Sequence, residues 1–171
     1  MSGKPLNQRG MTLIELVVAM GIAGFVVAGA AAVIFQLVTV SARSSDYMTA
    51  YTEVQNAGFS VSRDALQAEE VSVVDDPETL EIELLTLDWI DWEGDAHQVV
   101  YTLEDDSGGL KELWRTYSID GVTQETIRVA RYIDLGTSSS WDENVLTLVV
   151  TAQVGDETAT RTYNVEPRPL S

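Results

Sequence analysis

The chain has no cysteine and a single histidine, and its 27 acidic residues face only 10 basic ones. Without cysteine there is no disulfide framework, no thiolate metal ligand and no thiol nucleophile, although such a chain suits any redox compartment. The formal net charge of −17 excludes nucleic-acid binding through a general basic field. With one imidazole, and with no Gly-x-Ser-x-Gly, His-Glu-x-x-His or Walker loop, nucleophilic, zinc and phosphate chemistry lack their usual parts. Carboxylate pairs occur throughout a chain this acidic, so they single out no acid/base site. His97 opens an expected strand and reads as a surface or edge histidine. No enzymatic activity and no cofactor are expected.

What the chain does have is a steep asymmetry. Its 171 residues allow one modest domain, and the 45% apolar content is ample for a core. From Leu16 to Phe35 there is no polar side chain. As a helix rising ~1.5 Å per residue, this run spans about 30 Å, the hydrocarbon thickness of a bilayer. It is longer than the apolar region of about 7–15 residues in a cleaved secretory signal, and it leads directly into further helical periodicity. Lys4 and Arg9 precede it without an acid, so the positive-inside rule predicts a cytoplasmic N-terminus and an exported remainder. Glu15 stands just before the run, where an ionised carboxylate costs about 2.5–3.5 kcal/mol at the bilayer centre and calls for a partner.

Arg9-Gly10-Met11-Thr12-Leu13-Ile14-Glu15-Leu16-Val17 resembles the class III signal of type IV pilins and of the related pseudopilins of type II secretion. The resemblance implies that a prepilin peptidase cuts between Gly10 and Met11 on the cytoplasmic side and methylates the new amino group. It also implies that Glu15 helps place the subunit in a filament by meeting a neighbour's N-terminal amine. Such an amine, with an unperturbed pKa of about 8, is largely cationic at neutral pH. Two features depart from the commonest pattern. Met11 stands where phenylalanine is usual, and no proline lies between Leu6 and Pro77, whereas major pilins often carry a helix-kinking proline.

Within the membrane segment Gly24, Ala28 and Ala32 recur at four-residue spacing, with Ala19 and Ala23 as a second small pair. They form a candidate face for close helix packing, although Gly and Ala are common in any membrane helix. Beyond Val40 the stripe Tyr47, Ala50, Tyr51, Val54, Ala57, Gly58, Val61, Ala65 and Ala68 keeps the helical period. Arg43, Asp46, Glu53, Asn56, Ser60, Arg63 and Asp64 are expected on the solvated side. One helix over about 12–69 is predicted, with Tyr47 and Tyr51 covering a sheet.

Strand and turn signals follow. Residues 71–74 precede the turn Asp75-Asp76-Pro77-Glu78, and Leu80, Ile82 and Leu84 alternate with Glu81 and Glu83. Further strands are expected at 98–103, 112–118, 123–129, 145–152 and 158–165. Asp105-Asp106-Ser107-Gly108-Gly109, Asp120-Gly121 and Gly155-Asp156 read as hairpin turns. The expected fold is α+β and pilin-like, a long helix packed on a mostly antiparallel sheet. Its parts are a leader at 1–10, a transmembrane and polymerisation half at 11–40 and an exported globular domain at 41–171.

Removal of residues 1–10 takes away two bases and no acid, leaving 8 minus 27, or −19. This excess reads as a self-repelling solvated surface, or as faces that meet basic patches or divalent cations. It is densest at Asp88-Trp89-Ile90-Asp91-Trp92-Glu93-Gly94-Asp95. Asp91, Glu93 and Asp95 resemble part of a calcium loop but lack the full spacing and closing bidentate Glu of an EF-hand. An acidic loop anchored by its tryptophans and a contact surface are the other readings.

The function expected is structural. The chain resembles a minor pilin of a type IV pilus-like filament, involved in initiation or tip assembly. This rests on the run of hairpins, Leu113-Trp114-Arg115, Trp141 and the end Arg168-Pro169. The implied partners are the prepilin peptidase, other pilin or pseudopilin subunits, the inner-membrane assembly platform and the membrane, with no direct nucleic acid. A minor pseudopilin of type II secretion and a non-polymerising, membrane-anchored binding or adhesion domain are the alternatives.

Overall fold

The computed structural model describes residues 12–73, 82–106 and 108–167. The expected turn Asp75-Asp76-Pro77-Glu78, together with Val74, Leu80, Glu81, Ser107 and the Arg168-Pro169 end, lies outside the described residues. The chain divides into two compact units, 1–42 and 43–171. In the first, the described residues form the opening part of α1 (Leu13–Ala65), whose leucine, valine, isoleucine and phenylalanine side chains are exposed. This helix is long and apolar enough to cross a membrane.

In the second unit α1 packs on one face of an eight-stranded antiparallel sheet. The strands are β1 (Glu70–Val73), β2 (Ile82–Ile90), β3 (Ala96–Asp105), β4 (Lys111–Ile119), β5 (Val122–Ile133), β6 (Ser138–Asp142), β7 (Val145–Val154) and β8 (Glu157–Val165). The first five form a meander, and β5 joins β7 through Ile133 and Ala152 while β7 carries β6 and β8 on its two sides. Alternation decides the inward face. Val99, Tyr101 and Leu103 of β3, Leu146, Leu148 and Val150 of β7 and Leu85 and Leu87 of β2 are buried with Ala50, Val54, Ala57, Val61 and Ala65 of the helix.

Small helix residues set the separation of the layers. An added Cβ at Gly58 would lie 2.0 Å from the Tyr163 ring, whose hydroxyl donates to the Val54 carbonyl at 3.2 Å. Glu53 accepts from the Arg131 backbone N–H at 2.8 Å, and Arg161 reaches the Tyr51 hydroxyl at 3.3 Å.

Asp64 corrects the expected solvated face. It is 2% exposed, and its Oδ2 accepts from Tyr101 Oη at 2.8 Å and Arg115 Nε at 2.5 Å, while Arg63 Nε reaches Oδ1 at 3.2 Å. A carboxylate in the last turns of a helix meets the negative end of the macrodipole, so its presence there depends on these donors. Burial, then the Asp64 charge, pushes the Tyr101 phenol up, keeping it protonated. Burial opposes the Arg115 charge most strongly, but hydrogen bonding and attraction to Asp64 together outweigh it and raise its pKa.

Other boundaries moved for local reasons. The helix ends at Ala65 rather than near 69, tapering through tight bonds from Gln67 N to Asp64 O and from Ala68 N to Ala65 O. Glu69 already donates to Asp88 of the sheet. Asp88, Trp89 and Ile90 finish β2 instead of opening an acidic loop. Strand β6 had no β-propensity to announce it; pairing with β7 makes it, across Glu143-Asn144 with φ of 46° and 67°.

Two outcomes are expected in urea unfolding of the full chain in nonionic detergent, followed by tryptophan fluorescence. Asp64→Ala costs about 3–5 kcal/mol by leaving the buried Arg115 with only a 3.6 Å contact to the exposed Glu125, and adding Arg115→Met recovers much of it. Gly58→Ala costs about 1–3 kcal/mol through overpacking against Tyr163, and Tyr163→Leu in the same chain restores part of that loss.

Candidate functional site

At the start of α1, Thr12 and Glu15 cap each other. The Thr12 backbone N–H and Oγ1 donate to Glu15 Oε2 at 2.9 and 2.8 Å, and Glu15 N–H returns to Thr12 Oγ1 at 3.4 Å. This is the capping box that Thr-x-x-Glu encodes, and that spacing was available in the sequence as a helix-start signal for Thr12. Glu15 shares its helix face with Ile14, Val18, Ala19 and Ile22. It is the one charged side chain between Leu13 and Ala42. Thr12 thus satisfies two hydrogen bonds of the carboxylate but not its charge. Gly10 and Met11, the expected processing residues, lie outside the described residues. Gly24, Ala28 and Ala32 are exposed on α1, and a Cβ at Gly24 would meet nothing within 4 Å.

A second cluster forms where β2, β3 and β4 run side by side. His97 lies in β3 opposite Trp89 and Ile119, so it is neither an edge nor a surface residue. Its Nε2 donates to Asp91 Oδ2 at 3.1 Å, since a carboxylate only accepts, and in the neutral ring Nδ1 accepts the Tyr117 hydroxyl at 2.6 Å. The rings of Trp89, His97 and Tyr117 lie nearly parallel, with centroids 5.2–6.3 Å apart, and the Arg115 guanidinium stands 5.4 Å from the Tyr117 centroid. Both imidazole nitrogens are thereby engaged by neighbouring side chains, and the residue positions the loop after β2.

That loop also gathers the expected calcium candidates. Carboxylate oxygens of Asp91, Glu93 and Asp95 lie within 4.8 Å of one another. However, Asp91 Oδ1 accepts the backbone N–H groups of Glu93, Gly94 and Asp95 at 2.9–3.0 Å. With one oxygen so engaged, three carboxylates offer fewer protein ligands than the six to eight calcium takes. The His97 hydrogen bond first, and then these backbone donors, hold the Asp91 carboxyl below its ordinary range.

Leu113-Trp114-Arg115 splits between the two faces of β4. Leu113 and Arg115 point to the helix, and Trp114 lies 5.8 Å from the Arg128 guanidinium. Trp141 is half-exposed on β6 opposite Leu146. The basic side chains Arg63, Lys111, Arg115, Arg128 and Arg131 lie 2.5–3.9 Å from carboxylates, which leaves no basic stripe among them.

A depressed carboxyl pKa contributes stability above the unfolded value, and this is lost as pH falls through the folded one. The amides of Glu93, Gly94 and Asp95 are therefore expected to stay protected from pH 7 to 5 and to lose protection only as pH falls below the ordinary aspartate value of about 3.9. Asp91→Ala is expected to expose them already at pH 7. Hydrogen exchange, corrected for its intrinsic pH dependence, reads both, and protection kept in that variant would refute the role given to Asp91.

Residues 5–31 match the family described as the prokaryotic N-terminal methylation motif. No curated protein and no solved structure matches the chain. With its capped Thr12-Leu13-Ile14-Glu15 start and an exposed apolar helix able to cross a membrane, the chain is a membrane-anchored protein carrying a type IV pilin-like N-terminal signal, the kind a prepilin peptidase processes.

Proposed function

We propose that this chain is a structural subunit, a minor pilin, of a type IV pilus-like filament. In this reading the cut falls between Gly10 and Met11, the leader with Lys4 and Arg9 stays in the cytoplasm, and the sheet domain is exported. The single observation that carries the proposal is Glu15. It is a carboxylate whose own helix offers it the neutral Thr12 donors and no cation along an otherwise uncharged apolar surface. In a bilayer such a group needs a positive partner, and the amine freed at a neighbour's Met11 is a cation at the same depth. Gly24, Ala28 and Ala32 would let the helices approach closely. A place at filament initiation or at the tip is what the resemblance to minor subunits implies, and the missing helix-kinking proline speaks against a major pilin. No catalytic role is assigned.

Cells with their cognate prepilin peptidase are expected to yield a protein whose N-terminal mass is that of methylated Met11. Retention of residues 1–10 would reduce it to a plain anchor. Glu15→Ala is expected to insert normally while its amount in filaments falls about tenfold or more, as loss of a membrane charge pair implies. Filaments sheared from the cell surface separate a pilus from the short periplasmic pseudopilus of type II secretion.

A further inference from the structure

Where the helix ends, an open groove of about 710 Å³ separates Leu66 from the loop after β2 and from Glu166 and Pro167 after β8. Its walls mix apolar side chains (Leu66, Trp89, Ile90, Trp92) with polar ones (Gln67, Asp91, Glu166) in about equal measure. Trp92 is 91% exposed, Ile90 and Leu66 are exposed beside it, and Trp89 forms part of the lining with its ring stacked on His97. Two tryptophans, Ile90 and Leu66 thus meet acidic side chains in one concavity, the mixed apolar and charged lining that suits a segment carrying both kinds of side chain. The patch is also rigidly presented. Three backbone N–H groups bond Asp91 Oδ1 and His97 bonds its Oδ2, so the turn that carries Trp92 is held before anything binds. Among the described residues the lining includes two acids, Asp91 and Glu166, and no base.

We infer that this groove binds a basic, apolar-flanked segment of a partner protein. An aliphatic side chain of that segment lies against Ile90, Leu66 and the Trp89 ring. A neighbouring Lys or Arg stands over the Trp92 ring, within the field of Asp91 and Glu166. Charge selects the occupant. Anionic lipid is repelled, and a second copy brings the same acid excess with most of its domain bases already tied to carboxylates. The inference stands on the groove alone and does not depend on filament membership.

The test is fluorescence anisotropy of a labelled hexapeptide in which Arg or Lys alternates with Leu or Val. The full chain is held in nonionic detergent, with empty micelles as the blank. Its counterpart with Glu at each basic position is expected not to bind. Trp92→Ala removes an exposed side chain, leaves folding intact and is expected to weaken binding about tenfold. Glu166→Gln is expected to weaken it about threefold at low salt and less at high salt. Asp156→Asn, in the turn between β7 and β8, is expected to change nothing. Equal affinity in the Trp92→Ala chain, or equal losses at Asp156 and Glu166, would overturn the inference in favour of a general acidic field. Tighter binding by Arg168→Ala would overturn it in favour of this chain's own residues 168–171 as the occupant.

Discussion

The contact between α1 and the sheet depends on one buried charge pair. Ala50, Val54, Ala57 and Val61 meet Leu85, Leu87, Val99 and Leu148 through apolar surfaces that would tolerate sliding, because dispersion and burial are non-directional. Asp64 and Arg115 are not tolerant. A slip of one helical turn, about 5.4 Å, would part them, leaving Asp64 with only its helix neighbour Arg63 and Arg115 with only the 3.6 Å contact to exposed Glu125. Pairing two desolvated ions adds little net stability by itself, but it penalises every other register. Gly58 against Tyr163 adds a steric limit to the same contact, and Tyr101 completes the donor set.

The same economy of charge shapes the surface. Most of the domain's bases are spent holding particular acids, Arg115 on Asp64, Lys111 on Asp105 and Arg128 on Glu112. Acids such as Glu53, Asp91 and Asp120 are instead held by backbone or side-chain donors that leave their charge uncancelled, and the net acidity disfavours phosphate backbones. Against that background the groove lined by Trp89, Ile90 and Trp92 carries two further acids, Asp91 and Glu166, and so disfavours an anionic occupant. At the other end of the sequence the logic is inverted. Glu15 is the lone charge on the apolar stretch from Leu13 to Ala42, and Thr12 gives it hydrogen bonds without neutralising it.

Much of this was readable along the chain. Thr12-Leu13-Ile14-Glu15 and the uninterrupted apolar run specify a capped membrane helix, because capping and hydropathy act over a few residues. The alternations that became β3, β4, β7 and β8 were visible because each strand has one buried face. Strand β6 was not, since Ser138, Ser139 and Ser140 have no strand preference of their own and are held by β7. Asp88, Trp89 and Ile90 looked like loop because acids crowd them, yet β3 supplies the partners that extend β2 through them. Sequence alone gives His97 the look of a surface or edge residue, because nothing beside it signals strands on both sides.

The sequence by itself determined a helix long and apolar enough to cross a membrane behind a pilin-like N-terminal motif, an amphipathic continuation and a run of antiparallel strands, all properties of local period and composition. Tertiary structure alone decided that Asp64 turns inward, that His97 holds the loop after β2 and that Trp92 stands at the edge of a groove. A helical period gives the angle of Asp64 around its axis but not what lies across from it. Its partners Tyr101 and Arg115 are 37 and 51 positions away, and only the packed sheet brings them within hydrogen-bonding distance.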